Sequence, residues 1–169
     1  MFTVPRWDRL ISTFKMAHLP LEGGYYKAVY RSDECIPQEH LSVQFSGERS
    51  FQTSIYFLLI KKQVSKIHRL KSDEVWHFYE GSSLTIHEFT PNGEYRTHVL
   101  GADVSNGESF QVVVPRSSWF GACLNDTTTH ALVGCTMTPG FDFQDFEIGN
   151  REELVKLFPS HKRIIEQLT

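Results

Sequence analysis

The sequence predicts an all-β sandwich or barrel, framed by one short helix at the amino end and two at the carboxyl end. Three observations carry that expectation. From Gly23 to about Phe146 the chain breaks into short apolar or alternating segments separated by turn residues, as expected for strands of a sheet with one buried face. Asn92-Gly93 and Asn106-Gly107 stand among the separators, and such dipeptides accept the positive φ angles of tight turns. Outside this zone the apolar spacing lengthens from two to three and four, the period of a helix.

At the amino end, Thr3 and Pro5 precede Trp7, Leu10, Ile11 and Phe14, which gives an amphipathic helix with its start signals in place and one face for the sheet. This helix and its connection occupy residues 1–22. Gly23 and Gly24 then permit a tight turn or a close backbone approach, so that Tyr25, Tyr26 and Arg31 are expected on an edge or dimer-forming strand in preference to a ligand site. Ser32 to Ser50 reads as a loop with partial structure, either mobile or covering a pocket. Ile55 to Ile60 is the longest clear apolar run. After the β zone, residues 147–169 return to helix: Asn150 and Glu153 form a capping pair ahead of Leu154, Leu157 and Phe158, and Pro159-Ser160 separates that helix from Ile164, Ile165 and Leu168.

Composition narrows the classes of function. The 169 residues fit one domain with a sizeable core. A net charge of −3, with no stretch rich in lysine or arginine, argues against nucleic-acid binding and against an anionic membrane surface. No apolar run approaches the roughly 20 residues of a membrane helix, and the amino terminus lacks the uninterrupted apolar centre of a secretory signal. A cytoplasmic location is the default expectation. Cys35, Cys123 and Cys135 are odd in number and widely spaced, which disfavours a disulfide framework or a Cys-x-x-Cys zinc site.

The most informative stretch is HRLKSDEVWHFYEG, from His68 to Gly81. Its flanks alternate with a period of two, and Lys71, Ser72 and Asp73 fill the connection, so it reads as two antiparallel strands joined by a polar turn. Counting by two places His68 with Leu70 on one face, and Glu74 with Trp76 and Phe78 on another. Val75, His77 and Tyr79 then point away.

This stretch resembles a cupin core motif in which His68, Glu74 and Gly81 are in register, while Leu70 stands where a second imidazole is expected. EGGYYKAVYRS from Glu22, TSIYFLL from Thr53, LGADVSNGESFQVVVPRSSWFGA from Leu100 and GCTMTPGFDFQDFE from Gly134 extend the resemblance along most of the chain, to a cupin subfamily of small, largely uncharacterised proteins. It implies a double-stranded β-helix, or jelly roll, usually paired as a homodimer. It implies little about substrate, because cupins host many reactions. In the second cupin motif Gly107 and Pro115 match, Ser117 takes the place of a glycine, and the final histidine position falls on Phe120. Of four ligands that the resemblance leads one to expect, His68 and Glu74 remain.

Two ligands hold a divalent metal poorly, since a catalytic site ordinarily uses three plus an open position. The ligand set is therefore incomplete, and rebuilding it would need His77 turned inward by a bulge, or Asp142 or His130 brought in by a loop. Without a metal, His68 and Glu74 can act as an acid–base pair, the carboxylate orienting the ring, or simply form a satisfied polar pair in the core. Trp76, Trp119 and Phe120 fill the core in one reading and stack on a ligand in the other. Trp119 follows the polar Arg116-Ser117-Ser118 turn and is the better rim candidate. Gln111, in phase with Val113 and Pro115, offers an amide to the barrel interior or caps a backbone group. The preferred function is binding of a small organic ligand by a homodimer without a catalytic metal. The alternative is a sugar or nucleotide-sugar isomerase or epimerase with His68 as base, followed by a metal-dependent oxygenase or hydrolase.

Overall fold

The computed structural model describes residues 4–169; the helix-start signal at Thr3 lies outside them. Helix α1 (Arg6–Phe14) begins directly after Pro5 and ends where Lys15 turns left-handed at φ 51°. Its Trp7, Leu10, Ile11 and Phe14 pack with Leu58, Leu132 and Tyr56, so the apolar stripe covers a sheet face as its spacing predicts.

Thirteen strands follow among the described residues: β1 (Ala17–His18), β2 (Tyr25–Arg31), β3 (Cys35–Ile36), β4 (Arg49–Ser50), β5 (Thr53–Ile60), β6 (Val64–Arg69), β7 (Glu74–Gly81), β8 (Leu84–Phe89), β9 (Tyr95–Leu100), β10 (Gln111–Val114), β11 (Trp119–Leu124), β12 (His130–Met137) and β13 (Glu147–Ile148). One sheet has the order β1-β2-β5-β12-β7-β10, the other β13-β6-β11-β8-β9, and β3-β4 form a small ribbon. All pairings between these strands are antiparallel. The inner faces enclose Phe57, Leu59, Trp76, Ile86, Phe120 and Val133. Burying each such side chain stabilises the fold by roughly 1.5–3 kcal/mol before chain entropy is counted. This is the jelly roll expected for the chain.

The His68–Gly81 stretch forms the two predicted strands, but they do not pair with each other. β6 bonds to β11 and β13, and β7 bonds to β10 and β12. The polar turn is thus a corner that carries the chain from one sheet to the other. That corner lets His68 from one sheet and Glu74 from the other line a common interior. Gly81 closes β7 at φ 101°, and a Cβ there would lie 2.1 Å from the His130 carbonyl oxygen, so the motif glycine is required by a backbone crossing.

At the carboxyl end, the Asn150 side chain accepts the Glu153 N–H at 3.1 Å and starts α2 (Arg151–Leu157). A 3₁₀ turn at Pro159–His161 leads to α3 (Lys162–Gln167). Leu154, Ile165 and Leu168 cover the outside of the second sheet over Ile67 and Phe89. No helix among the described residues is long and apolar enough to cross a membrane.

Residues 32–50 contain β3, a 3₁₀ turn at Gln38–His40 and β4. Arg49 anchors this segment: its Nε and Nη2 each meet an Asp145 carboxylate oxygen at 2.7 Å, and Nη1 donates to the carbonyls of Ser46, Gly47 and Glu48. Both partners are buried. The pair clamps the loop to the Pro139–Phe146 segment, whose aromatic residues form one wall of the site.

Candidate functional site

A cavity of about 550 Å³ lies between the inner face of the first sheet and the Phe141–Phe146 segment. β2 supplies Tyr26, Ala28 and Tyr30 from one alternating face; β5 supplies Thr53 and Ile55; Phe141, Phe143 and Phe146 close the opposite side. The deep wall carries His68, Leu70, Glu74 and Cys135, and Glu22 joins them from the turn before β2.

His68 is 2 % exposed. Its Nδ1 lies 2.7 Å from the Lys66 carbonyl oxygen. A carbonyl only accepts, so Nδ1 carries a proton, and in the neutral ring the lone pair sits on Nε2. Among the described residues Nε2 has no hydrogen-bond partner. Phe120 at 4.3 Å and Phe146 at 5.2 Å between centroids fix the ring plane.

Glu74 is also buried, and its Oε2 accepts the Trp76 indole N–H at 2.7 Å. Burial first, and the nearby Glu22 charge second, push its carboxyl up to about 8, although the indole and the Cys135 thiol pull the other way. At neutral pH the group is therefore largely protonated. Glu22 accepts the Ser65 hydroxyl at 2.7 Å. The arrangement differs from the expected acid–base pair in one respect: His68 is oriented by the Lys66 carbonyl and not by Glu74. The residue two positions back in β6 already supplies the acceptor, and Trp76 occupies the carboxyl oxygen.

The candidate ligand contacts separate. Trp76 and Phe120 are each 1 % exposed and belong to the core; they sit behind the cavity wall, Trp76 reaching it through its N–H on Glu74 and Phe120 through the His68 ring. Gln111 faces outward, with its amide 3.1 Å from His77 Nδ1, because Val112 and Val114 take the buried phase of β10. Trp119 also turns away from the cavity. It pairs across from Phe89, packs with the carboxyl-terminal helices and carries the Arg69 guanidinium 4.4 Å above its ring. In place of these, the cavity uses Tyr26 and Arg31 of the opening segment, together with Glu22 and the three phenylalanines of the PGFDF region. The period-two phase of β2, with Tyr26, Ala28 and Tyr30 in step, was the available signal.

The residues present do not form a metal cage. No group of three or more His, Cys, Asp or Glu side chains among the described residues is placed to hold a cation. Leu70 and Phe120 stand at two of the ligand positions of the motif, and the indole takes one oxygen of Glu74. His77 remains outside, against Thr136 and Gln111. His130 faces Glu80 at 3.2 Å, and Asp142 caps the following turn by accepting the Gln144 N–H.

Two inward sheets, with one cavity that has His68 and Glu74 on its deep wall, define a β-barrel of the jelly-roll class. The chain belongs to the cupin superfamily: the model of the family described as Cupin superfamily (DUF985) matches residues 8–149. It is similar to the crystal structure of protein SO0799 from Shewanella oneidensis, with a TM-score of 0.87 and 37% identity over 99% of this chain and 98% of that one. A hypothetical protein from Leishmania major aligns with a TM-score of 0.83 and 31% identity, covering 96% and 97% of the two chains. The uncharacterized protein YML079W of Saccharomyces cerevisiae is 28% identical over 144 residues, which is 80% of this chain and 71% of the yeast protein.

Proposed function

We propose that this protein binds a small organic molecule in the cavity beneath β2, without a resident catalytic metal. The observation that carries the reading is the cavity itself: about 550 Å³, walled largely by aromatic and aliphatic side chains, with Glu22, His68 and Glu74 among its few polar groups. This is the composition of a ligand pocket, in which apolar walls supply affinity and a few polar groups set orientation. The homodimer implied by the sequence resemblance is part of the proposal, and sedimentation at several concentrations tests it. For the pocket, titration with the uncharged fluorophore N-phenyl-1-naphthylamine should give saturable enhancement in the parent protein. Ala28→Trp, which fills the cavity from an exposed strand position, should abolish it while leaving the fold intact. Equal enhancement in that variant would place the binding elsewhere.

The fixed tautomer of His68 supports a second reading, an isomerase or epimerase in which Nε2 takes a proton from carbon. With Nδ1 held on the Lys66 carbonyl, Nε2 is the basic atom. Solvent deuterium should then enter a substrate sugar or nucleotide-linked sugar with the parent protein and not with His68→Gln. Exchange that persists in the variant removes His68 as the base.

A further inference from the structure

Accepting the cavity as a ligand site, we infer that it selects a primary ammonium group carried on an apolar or aromatic body. The acceptors on the deep wall match that group. Glu22 and Glu74 contribute carboxyl oxygens and His68 contributes Nε2, so three side chains face one cavity with acceptor capacity, and a primary ammonium has three N–H donors. His68, a residue 2 % exposed, lines the cavity, and its Nε2 lacks a hydrogen-bond partner among the described residues. That atom is not sealed from solvent, unlike Ser72 Oγ; it opens to the cavity, where a ligand N–H can donate to it.

The charge balance points the same way. Glu74 lies close enough to Glu22 to feel its charge, and no cationic side chain is among the groups that offset it. The basic groups along the cavity stand apart from this pair. Arg31 is held at the rim, donating to the Ser50 hydroxyl at 3.1 Å and the Phe141 carbonyl at 2.8 Å, and His18 is exposed against Tyr25. Cys135 is buried, and burial raises its thiol well above the usual range, so it stays uncharged. The deep wall is therefore a pair of carboxyl groups with no cationic side chain beside it, in surroundings that strengthen electrostatic contacts. Phe141 and Phe146, with Tyr26 opposite, offer ring faces to the apolar body and to the cation.

Proton linkage gives this inference its own signature. An ammonium beside Glu74 favours the ionised carboxylate, so binding near neutral pH should expel a proton from Glu74. A neutral or anionic ligand should not.

The test is isothermal titration of the full-length protein with hexylamine, 2-phenylethylamine and tryptamine, each beside its alcohol and carboxylate counterpart. Running the amines in buffers of different ionisation enthalpy counts the protons released. At least one amine should bind about ten-fold or more tightly than both counterparts, the gain of a charge-assisted contact. Glu22→Gln and Glu74→Gln should each lose about that factor for the amine while the alcohol changes little, and Glu74→Gln should abolish proton release. Circular dichroism confirms that both variants fold. Equal or tighter binding of the alcohols or carboxylates would overturn the ammonium assignment and leave the ligand cavity standing. Tight amine binding that survives Ala28→Trp would overturn the assignment by placing the amine outside the cavity. Failure of all nine probes to bind, together with loss of the naphthylamine response, would overturn both.

Discussion

The Trp76 indole N–H donates to Oε2 of Glu74 at 2.7 Å, two positions apart on one face of β7. A fully buried core residue thereby reaches the cavity with a single atom. The bond supports the ionised form of a carboxyl that burial, even so, holds near 8. Trp76→Phe keeps the apolar volume and deletes the donor, so the Glu74 carboxyl should titrate still higher. Carbon-13 NMR of labelled glutamate reads this directly. A lower midpoint in the variant would mean that the indole opposes ionisation.

Stability should depend on Glu74 in the alkaline direction. In the unfolded chain its carboxyl ionises near the ordinary value of 4.5, whereas the folded protein retains the proton up to about 8. Below 4.5 both states are protonated. As pH rises from there through 8, the unfolded state is increasingly favoured, by an amount on the order of a few kcal/mol. Urea melts of Glu74→Gln should show a smaller loss of stability between pH 5 and 9 than the parent. Parallel curves would place the titration elsewhere.

Arg49 and Asp145 join the 32–50 loop to the aromatic wall through two 2.7 Å contacts, with both side chains 2 % exposed. Removing Arg49 leaves the buried Asp145 carboxylate with only the Lys71 ammonium at 3.4 Å, so Arg49→Met should cost up to about 3–5 kcal/mol. Combining it with Asp145→Asn should recover part of that loss. A double variant as unstable as the sum of both singles would show that the two groups act independently.

On the outer face of the second sheet, His87 sits between the Tyr95 hydroxyl and the Cys123 sulfur. Burial lowers its pKa to about 4. The unfolded imidazole takes a proton near 6.5, and the folded one resists until about 4, so this site erodes stability as pH falls across that window. His87→Gln should flatten the acid limb between pH 6.5 and 4. An unchanged limb would show that other groups set it.

The strands were legible where one face is apolar and the other polar, as in β7, because burial imposes a period of two. The terminal helices were equally plain, since Asn150 and the Pro159 break are local signals. Partnership was not legible. Nothing within His68–Gly81 tells that β6 and β7 bond to different strands, because their partners lie tens of residues away. The site divides for the same reason. His68 and Glu74 were found from a local motif, whereas Gln111 was assigned by phase and Trp119 by the polar turn before it, on strands whose facing depends on distant neighbours. Val112 and Val114 take the inner phase from Gln111, and the carboxyl-terminal helices draw Trp119 outward. Tyr26, Phe141 and Phe146 come from opposite ends of the chain, and only the folded barrel brings them to one cavity.

The central claim is that the cavity beneath β2 accepts a small molecule, and native mass spectrometry of gently purified protein tests it most directly when the parent is measured beside Ala28→Trp. The account predicts an organic mass bound to the parent, lost on denaturation and missing from the cavity-filled variant. The same adduct on both proteins would contradict it.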